Sequence, residues 1–437
     1  MSDFAYEIDI NGTKYINDTV LKINIDKKIP MVGENLSADR CIIVLDNTEL
    51  SDGTLRYTLN QTTFKIYDNV ASQYIQDQDI YVNVNSIRQF TGKCNEPKLN
   101  IKNKTLEITC RGLWAETEKI TSTQSLAYFD KTFNTILKSL LTLAGYTDFT
   151  NITAITNTIE FFGVEKEETI SKAILRLIKS VAGIFWINEY GKPVFDGGFI
   201  EADSKTIVTT TIDTLDLDYT KDLSLDNASE DIQKVIVESK TKIKNDELVY
   251  IYTRNEIEEE EMKSDFYAEL DNPIWYLDNY SNAEFKSDDG VTFSQTTYES
   301  NLVGGSGNTP LYYDTLKLSF GNITGNKVDY LRFKGKELKE YDFVGVQGSG
   351  NTKKYQTNYA QTQDWASDLA SYVLTEYKSR PKINLNMPDI KRFFTNEYNL
   401  EKKILIKSIT KSRNNLADEN ISNRCIIKSI SMQPSGG

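Results

Sequence analysis

The sequence predicts an α+β protein, mainly β, with two small β-barrel domains, an inserted helical α+β domain and a C-terminal strand pair. Three observations predict it. Period-two runs rich in Ile, Val, Tyr and Thr fill most of the chain. Three stretches break that rhythm with apolar residues at helical spacing. At 437 residues, 39% hydrophobic and 26% charged, the chain has the length for roughly three domains and the apolar content to give each a core.

From Phe4 to about Thr117 the runs YEIDI, VLKINI, CIIVL, TFKIY, DIYVNV, LNIKN and LEITC alternate around Gly, Asn and Asp. Short strands at near-regular spacing predict a small barrel or sandwich over residues 1–117, with Gly92 and Pro97 between strands, where they cost no ladder hydrogen bond. The period then lengthens: Phe133, Ile136, Leu137, Leu140, Leu141 and Ala144 share one helical face, and Gly145 suits the cap. A second helix has Glu167 and Glu168 at the positive end of its dipole, a stripe of Ile170, Ile174, Leu177, Ile178 and Val181, and Gly183 as its stop. IFWINEYGKPVF reads as a hairpin set directly on that helix, completing an inserted α+β domain over 118–204.

Residues 205–360 return to strands in VTTTI, KVIVESK, ELVYIYT, TLKLSF and DYLRFKG, and long loops among them predict a second β domain with insertions, assigned as the second β-barrel. Loops 304–310 and 348–354 share Gly-Ser-Gly-Asn-Thr and read as mobile turns; neither has the Gly-Lys-Ser/Thr ending of a phosphate-binding loop. Over 361–437, Trp365, Leu369, Tyr372, Val373 and Tyr377 mark a third helix that Pro381 stops, and two strands joined by a polar loop then return to the β core.

Composition excludes much chemistry. Without histidine there is no imidazole general base, Ser/His/Asp or Cys/His nucleophile system, or imidazole zinc site. Cys41, Cys94, Cys110 and Cys425 lack CxxC spacing and read as buried thiols, so no metal and no cofactor is expected. A net charge of −13 disfavours a general nucleic-acid or anionic-membrane surface. The start lacks the pattern of a secretory signal, and no run approaches the roughly 18–20 apolar residues of a membrane helix.

Acidic clusters give no catalytic site. Glu256 to Glu261 lacks the interleaved turn residues of a calcium loop and reads as a solvated face. Asp213, Asp216, Asp218, Asp222 and Asp226 read as strands with one wet face rather than a catalytic pair. With 25 Tyr and 19 Phe, aromatic anchors are available, and Trp275, Tyr276 and Tyr280 are the candidate partner contact.

The order of segments resembles the baseplate hub and tail-tip proteins of tailed phages and phage-like injection particles. RCIIVLDN at 40–47, DIYVNV, RQFTGKCNEP at 88–97 and LEITCRGLWAET at 106–117 look like that family's N-terminal barrel strands. The helix-to-hairpin stretch ETISKAILRLIKSVAGIFWINEYGKPVF and the late helix WASDLASYVLTEYKSRP before KINLNMPDI look like its insert and its return. Residues 250–350 depart from it, being longer and more loop-rich than a minimal hub. The resemblance implies a non-enzymatic virion subunit made in the bacterial cytoplasm. It would form a homotrimeric ring that adapts a six-fold tail tube to a three-fold spike or fibre, with the tape-measure protein as a further partner. The other function classes are a receptor- or glycan-binding tail adhesin and a glycan hydrolase whose carboxylates meet only in the fold.

Overall fold

The period-two runs of the first region build one eight-stranded antiparallel sheet. Its order is Thr13–Ile16, Tyr6–Ile10, Asp79–Val84, Ile87–Asn100, Thr105–Gly112, Arg40–Asp46, Val20–Lys28 and Ser429–Met432. The last pairing sets the C-terminal strand Ser429–Met432 against Val20–Lys28. Alternate residues fill the core, including Ile8, Ile10, Ile43, Leu45, Ile80, Val82 and Ile108. The computed structural model describes residues 5–16, 19–28, 30, 32, 34–123, 126–198, 213–216, 222–226, 232–264, 266–278, 283–287, 291–298, 313–378, 382–386, 403–407, 423–426 and 429–432.

The protein is mainly β, an α+β fold with several antiparallel sheets. The expected barrels do not close among the described residues: Thr13–Ile16 and Ser429–Met432 are opposite edges of the first sheet and do not pair with each other. Alternation within a strand says which face is buried, but closure also needs a stagger between strands that no single run encodes. Gly92 and Pro97 also differ from expectation, both lying inside the strand Ile87–Asn100. Gly92 is needed there for space, since a Cβ would fall 2.2 Å from the Arg111 carbonyl oxygen. Pro97 is tolerated because Asp79–Val84 pairs only as far as Lys93, leaving one side of the strand free at residue 97.

The inserted unit follows the predicted helical stripes. Helix α1 (Trp114–Thr117) leads to the paired strands Leu126–Thr132 and Thr158–Val164, between which runs α2 (Phe133–Leu143). Thr132 caps α2, its Oγ1 accepting from the Thr135 N–H at 3.2 Å. Helix α3 (Ile170–Lys179) buries Ile170, Ile174, Leu177 and Ile178 and feeds the hairpin of Ile184–Ile187 and Pro193–Asp196. Ala182, not Gly183, takes the left-handed position after α3, at φ +48°. Gly183 is required by the Phe195 ring, which a Cβ would meet at 2.5 Å.

The second β region turns on one long strand, Val328–Gly348, which serves two sheets. Its first half pairs with Val249–Ile257, Phe266–Leu277 and Glu284–Ser287. Its second half pairs with Lys234–Lys244, which pairs in parallel with Thr352–Thr357. A short helix α4 (Glu259–Met262) follows Ile257, so the acidic run lies on a helical turn. Helix α5 (Gln363–Lys378) covers one face of the second-half sheet, and α2, α3, α5 and the hairpin share a core containing Leu140, Leu177, Phe185, Val237, Leu369 and Val373.

Loop 348–354 is pinned: the backbone N–H groups of Gln233 and Lys234 donate to the Asn351 carbonyl at 3.0 and 2.9 Å. Loop 304–310, the VTTTI run, Asp218 and Pro381 lie outside the described residues. The backbone of Asp213–Asp216 pairs in parallel with Lys403–Lys407, and Asp222–Asp226 pairs antiparallel with Lys382–Asn386. The tail's two strands pair as predicted, Lys403–Lys407 with Asn423–Ile426.

Candidate assembly interface

The predicted aromatic contact falls at the end of the strand Phe266–Leu277, where the pairing register shifts between Ile274 and Tyr276. Trp275 is half-buried; its Nε1 donates to the Asn245 carbonyl at 3.1 Å, and its ring packs with Phe129, Phe161 and Leu338. It therefore joins the second β region to the strand pair of the inserted unit. Lys244 strengthens the same junction, its Nζ lying 2.6 Å from the Asp130 carboxylate and 5.3 Å from the Trp275 ring centre. Tyr276 is 44% exposed beside it, and Tyr280 lies outside the described residues.

Tyr276 belongs to a wider face that the sequence does not single out. Along Val328–Gly348, Tyr330, Arg332, Lys334 and Lys336 alternate with the core residues Leu331 and Phe333 and so share the outer side of the sheet. Tyr250 stands opposite Lys334, and Tyr276 opposite Lys336. Lys334 Nζ lies 4.7 Å from the Tyr250 ring centre, and Lys336 Nζ lies 5.1 and 5.8 Å from those of Trp275 and Tyr276. Tyr250 donates its hydroxyl proton to Glu284, which also lies 3.6 Å from Arg332 and 3.7 Å from Lys334. The Tyr250 hydroxyl, then the two cations, hold the Glu284 carboxyl below the usual carboxylate range. The only trace in the sequence is the period-two interleaving of cations and rings in DYLRFKGK.

A second surface lies on the sheet carrying α5. The helix covers the side holding Val235, Val237 and Tyr355. The opposite side presents Val344 and Val346, which are 46% and 51% exposed, with Glu238 and Ile236 as their cross-strand partners. Charged cross-strand pairs, Lys240 with Asp342 and Lys242 with Glu340, extend that side.

Other features give no catalytic constellation. Among the described residues no group of three or more His, Cys, Asp or Glu is placed to hold a metal ion, and no helix is long and apolar enough to cross a membrane. An open groove of about 410 Å³ lies between Leu113, Tyr146 and Pro193, crossed by the Asp148–Lys192 ion pair at 2.7 Å. That pair is exposed, and the Lys192 partner holds the Asp148 carboxyl well below its usual range.

No protein-family profile matches the sequence, and no curated protein matches it. Solved structures do. The 43 kDa tail protein of prophage MuSo2 from Shewanella oneidensis aligns over 99% of this chain and 95% of its own, at 9% identity and a TM-score of 0.51. The chain has a phage tail-protein fold. Prophage tail protein gp18 from Listeria monocytogenes EGD-e aligns over 98% of this chain and 90% of its own, at 9% identity and a TM-score of 0.43. A tail protein from Neisseria meningitidis MC58 aligns over 54% of this chain at 13% identity and a TM-score of 0.38, and this chain spans 64% of its length. At these identities the likeness is one of fold, and the tail-protein resemblance expected from the sequence extends over nearly the whole chain.

Proposed function

We propose that the chain is a structural baseplate-hub or tail-tip subunit of a phage tail or phage-like particle. It assembles as a homotrimeric ring in the virion tail, adapting a six-fold tube to a three-fold spike or fibre, without catalysing a reaction. The observation that carries this reading is the end-to-end fold agreement with the prophage MuSo2 tail protein. Regions 1–117 and 205–360 serve as the two β units, 118–204 as the insert, and 361–437 as the return. The exposed Val344 and Val346 face, with charged pairs beside it, supports subunit contact because an uncovered sheet face invites a partner.

The test is negative-stain imaging with two-dimensional averaging, alongside mass photometry over a concentration series. Three-lobed rings with a central hole are expected. Solid monomers at every concentration, alone and with purified tail tube, would overturn the ring and favour the adhesin.

A further inference from the structure

The strand Val249–Ile257 links two surfaces of opposite charge. At its start Tyr250 abuts the face of Arg332, Lys334, Lys336 and Tyr276. At its end it runs into the turn Glu256 to Glu261, five carboxylates among which Glu261 pairs with Arg254, and Glu259 and Glu260 with Lys263. Glu256, Glu258 and Glu260 are exposed, and Glu260 points out with 84% of its side chain accessible.

Lys334, opposite Tyr250, lies roughly 23 Å along the strand from Ile257, seven residues at about 3.3 Å each, whereas Arg332, opposite Thr253, lies nearer the turn. Lys334 and Lys336 therefore do not reach the acidic turn of their own chain. Between copies they can, head to tail, and a heterologous contact of that kind closes into a ring when the rotation per subunit divides the circle. Copies that each carry −13 repel at long range, so a local patch of cations is what brings them together.

The aromatic rings indicate which ligand this face takes. Lys334 and Lys336 lie within 4.7–5.8 Å of the Tyr250 and Tyr276 ring centres. Those ring faces are thus already in use and give a sugar little stacking surface. Carboxylates are not absent from the face: Glu284 is shared by Tyr250, Arg332 and Lys334, and Asp246 lies 3.6 Å from Lys336 but is 86% exposed. The ammonium groups of Lys334 and Lys336 are thus positioned by the rings and each lies beside one carboxylate at 3.6–3.7 Å, which leaves room for an incoming carboxylate.

We propose that the Lys334–Lys336 face of one copy receives the acidic turn Glu256 to Glu261 of a second copy. This rests on the ring reading above and names one of its contacts.

The experiment compares the wild-type chain, Lys334→Glu/Lys336→Glu, Glu258→Lys/Glu260→Lys, and the fourfold charge swap by analytical ultracentrifugation and mass photometry. Circular dichroism melting confirms the fold of each, and Lys334→Gln/Lys336→Gln serves as a milder variant. Each double reversal is expected to weaken self-association at least tenfold, and the fourfold swap to restore it to within about threefold. Raising salt from about 50 to 500 mM should weaken wild-type assembly, because exposed charges are screened beyond a few ångströms. Assembly of every variant with wild-type affinity would overturn this contact and leave the ring standing. Loss in the reversals without rescue by the swap would overturn the pairing of this face with the acidic turn. A wild-type chain that stays monomeric throughout, alone and with purified tail tube, would overturn both the contact and the ring.

Discussion

Arg176 offers the sharpest test of how the inserted unit is held. Its guanidinium reaches three segments at once. Nε and Nη2 donate to the two oxygens of Glu168 at 2.9 and 2.7 Å, Nη2 donates to the Gly163 carbonyl at 2.8 Å, and Nη1 donates to the Tyr359 hydroxyl at 2.6 Å. Helix α3, the strand Thr158–Val164 and the segment after Thr352–Thr357 are thereby joined by one side chain. Arg176 is 31% exposed and Glu168 14%, so both charges are largely withdrawn from water. Breaking a buried ion pair costs about 3–5 kcal/mol when one charge is stranded, and the remaining exposure lowers that to roughly 2–3 kcal/mol for Arg176→Ala. Arg176→Lys retains the charge but not the planar fork, and should lose about 1–2 kcal/mol.

Tryptophan fluorescence in denaturant reads this unit directly, since Trp114 and Trp186 lie in its core and Trp365 packs against it, donating to the Ser180 carbonyl at 2.9 Å. A double-mutant cycle with Glu168→Gln should return a coupling of about 1 kcal/mol or more. An Arg176→Ala midpoint indistinguishable from wild type, or zero coupling, would refute the claim that this fork closes the unit.

Three further outcomes follow from the same structure. Gly345→Ala would place a Cβ 2.0 Å from the Ala366 carbonyl oxygen, forcing α5 off the sheet; a loss of about 2–4 kcal/mol is expected, whereas Gly325→Ala, with open space but φ +74°, should lose about 1 kcal/mol in the same thermal melts. Cys41, Cys94 and Cys110 are fully buried and stand in a row across three strands, and burial pushes the Cys41 and Cys110 thiols up; peptide mapping should find all three unalkylated by iodoacetamide in the native protein and modified after unfolding. Burial raises the Asp39 carboxyl to about 7, partly opposed by the cation of Lys27, so the folded state holds a proton that the unfolded state has released. Stability should therefore fall as pH rises from about 4 to 7, and Asp39→Asn should flatten that slope in denaturant titrations.

The helices are legible in the sequence because each buries one stripe: Phe133, Ile136, Leu137, Leu140 and Leu141 on α2 are all buried, as their spacing predicts. The hairpin after α3 is legible from its two short apolar runs around a turn. What stays illegible depends on neighbours in space. Nothing near Gly92 in the chain announces that Arg111 will lie against it, so it reads as a turn residue. The strand Val328–Gly348 keeps period two while passing from one sheet to another near Gly335 and Leu338, so its dual role leaves no local mark. Lys334 and Lys336 go unmarked because cations alternating with apolar residues describe any half-wet strand; only the positions of Tyr250 and Tyr276 opposite them make a distinct face.

The same asymmetry explains why a fold can be matched end to end at 9% identity while no sequence profile finds it. A core position such as Ile174 or Leu369 asks only for an apolar side chain of suitable volume, so identities drift while the packing persists. Surfaces have no such latitude when they bind: reversing Lys334 and Lys336 leaves the hydrophobic core residues unchanged and inverts the charge that the face presents. Fold likeness therefore bears on the architecture of this chain, and the charge-swap experiment bears on whether its copies meet through this face. Rescue by the fourfold swap is the outcome that a fold argument alone does not predict, and for that reason it carries the greater weight.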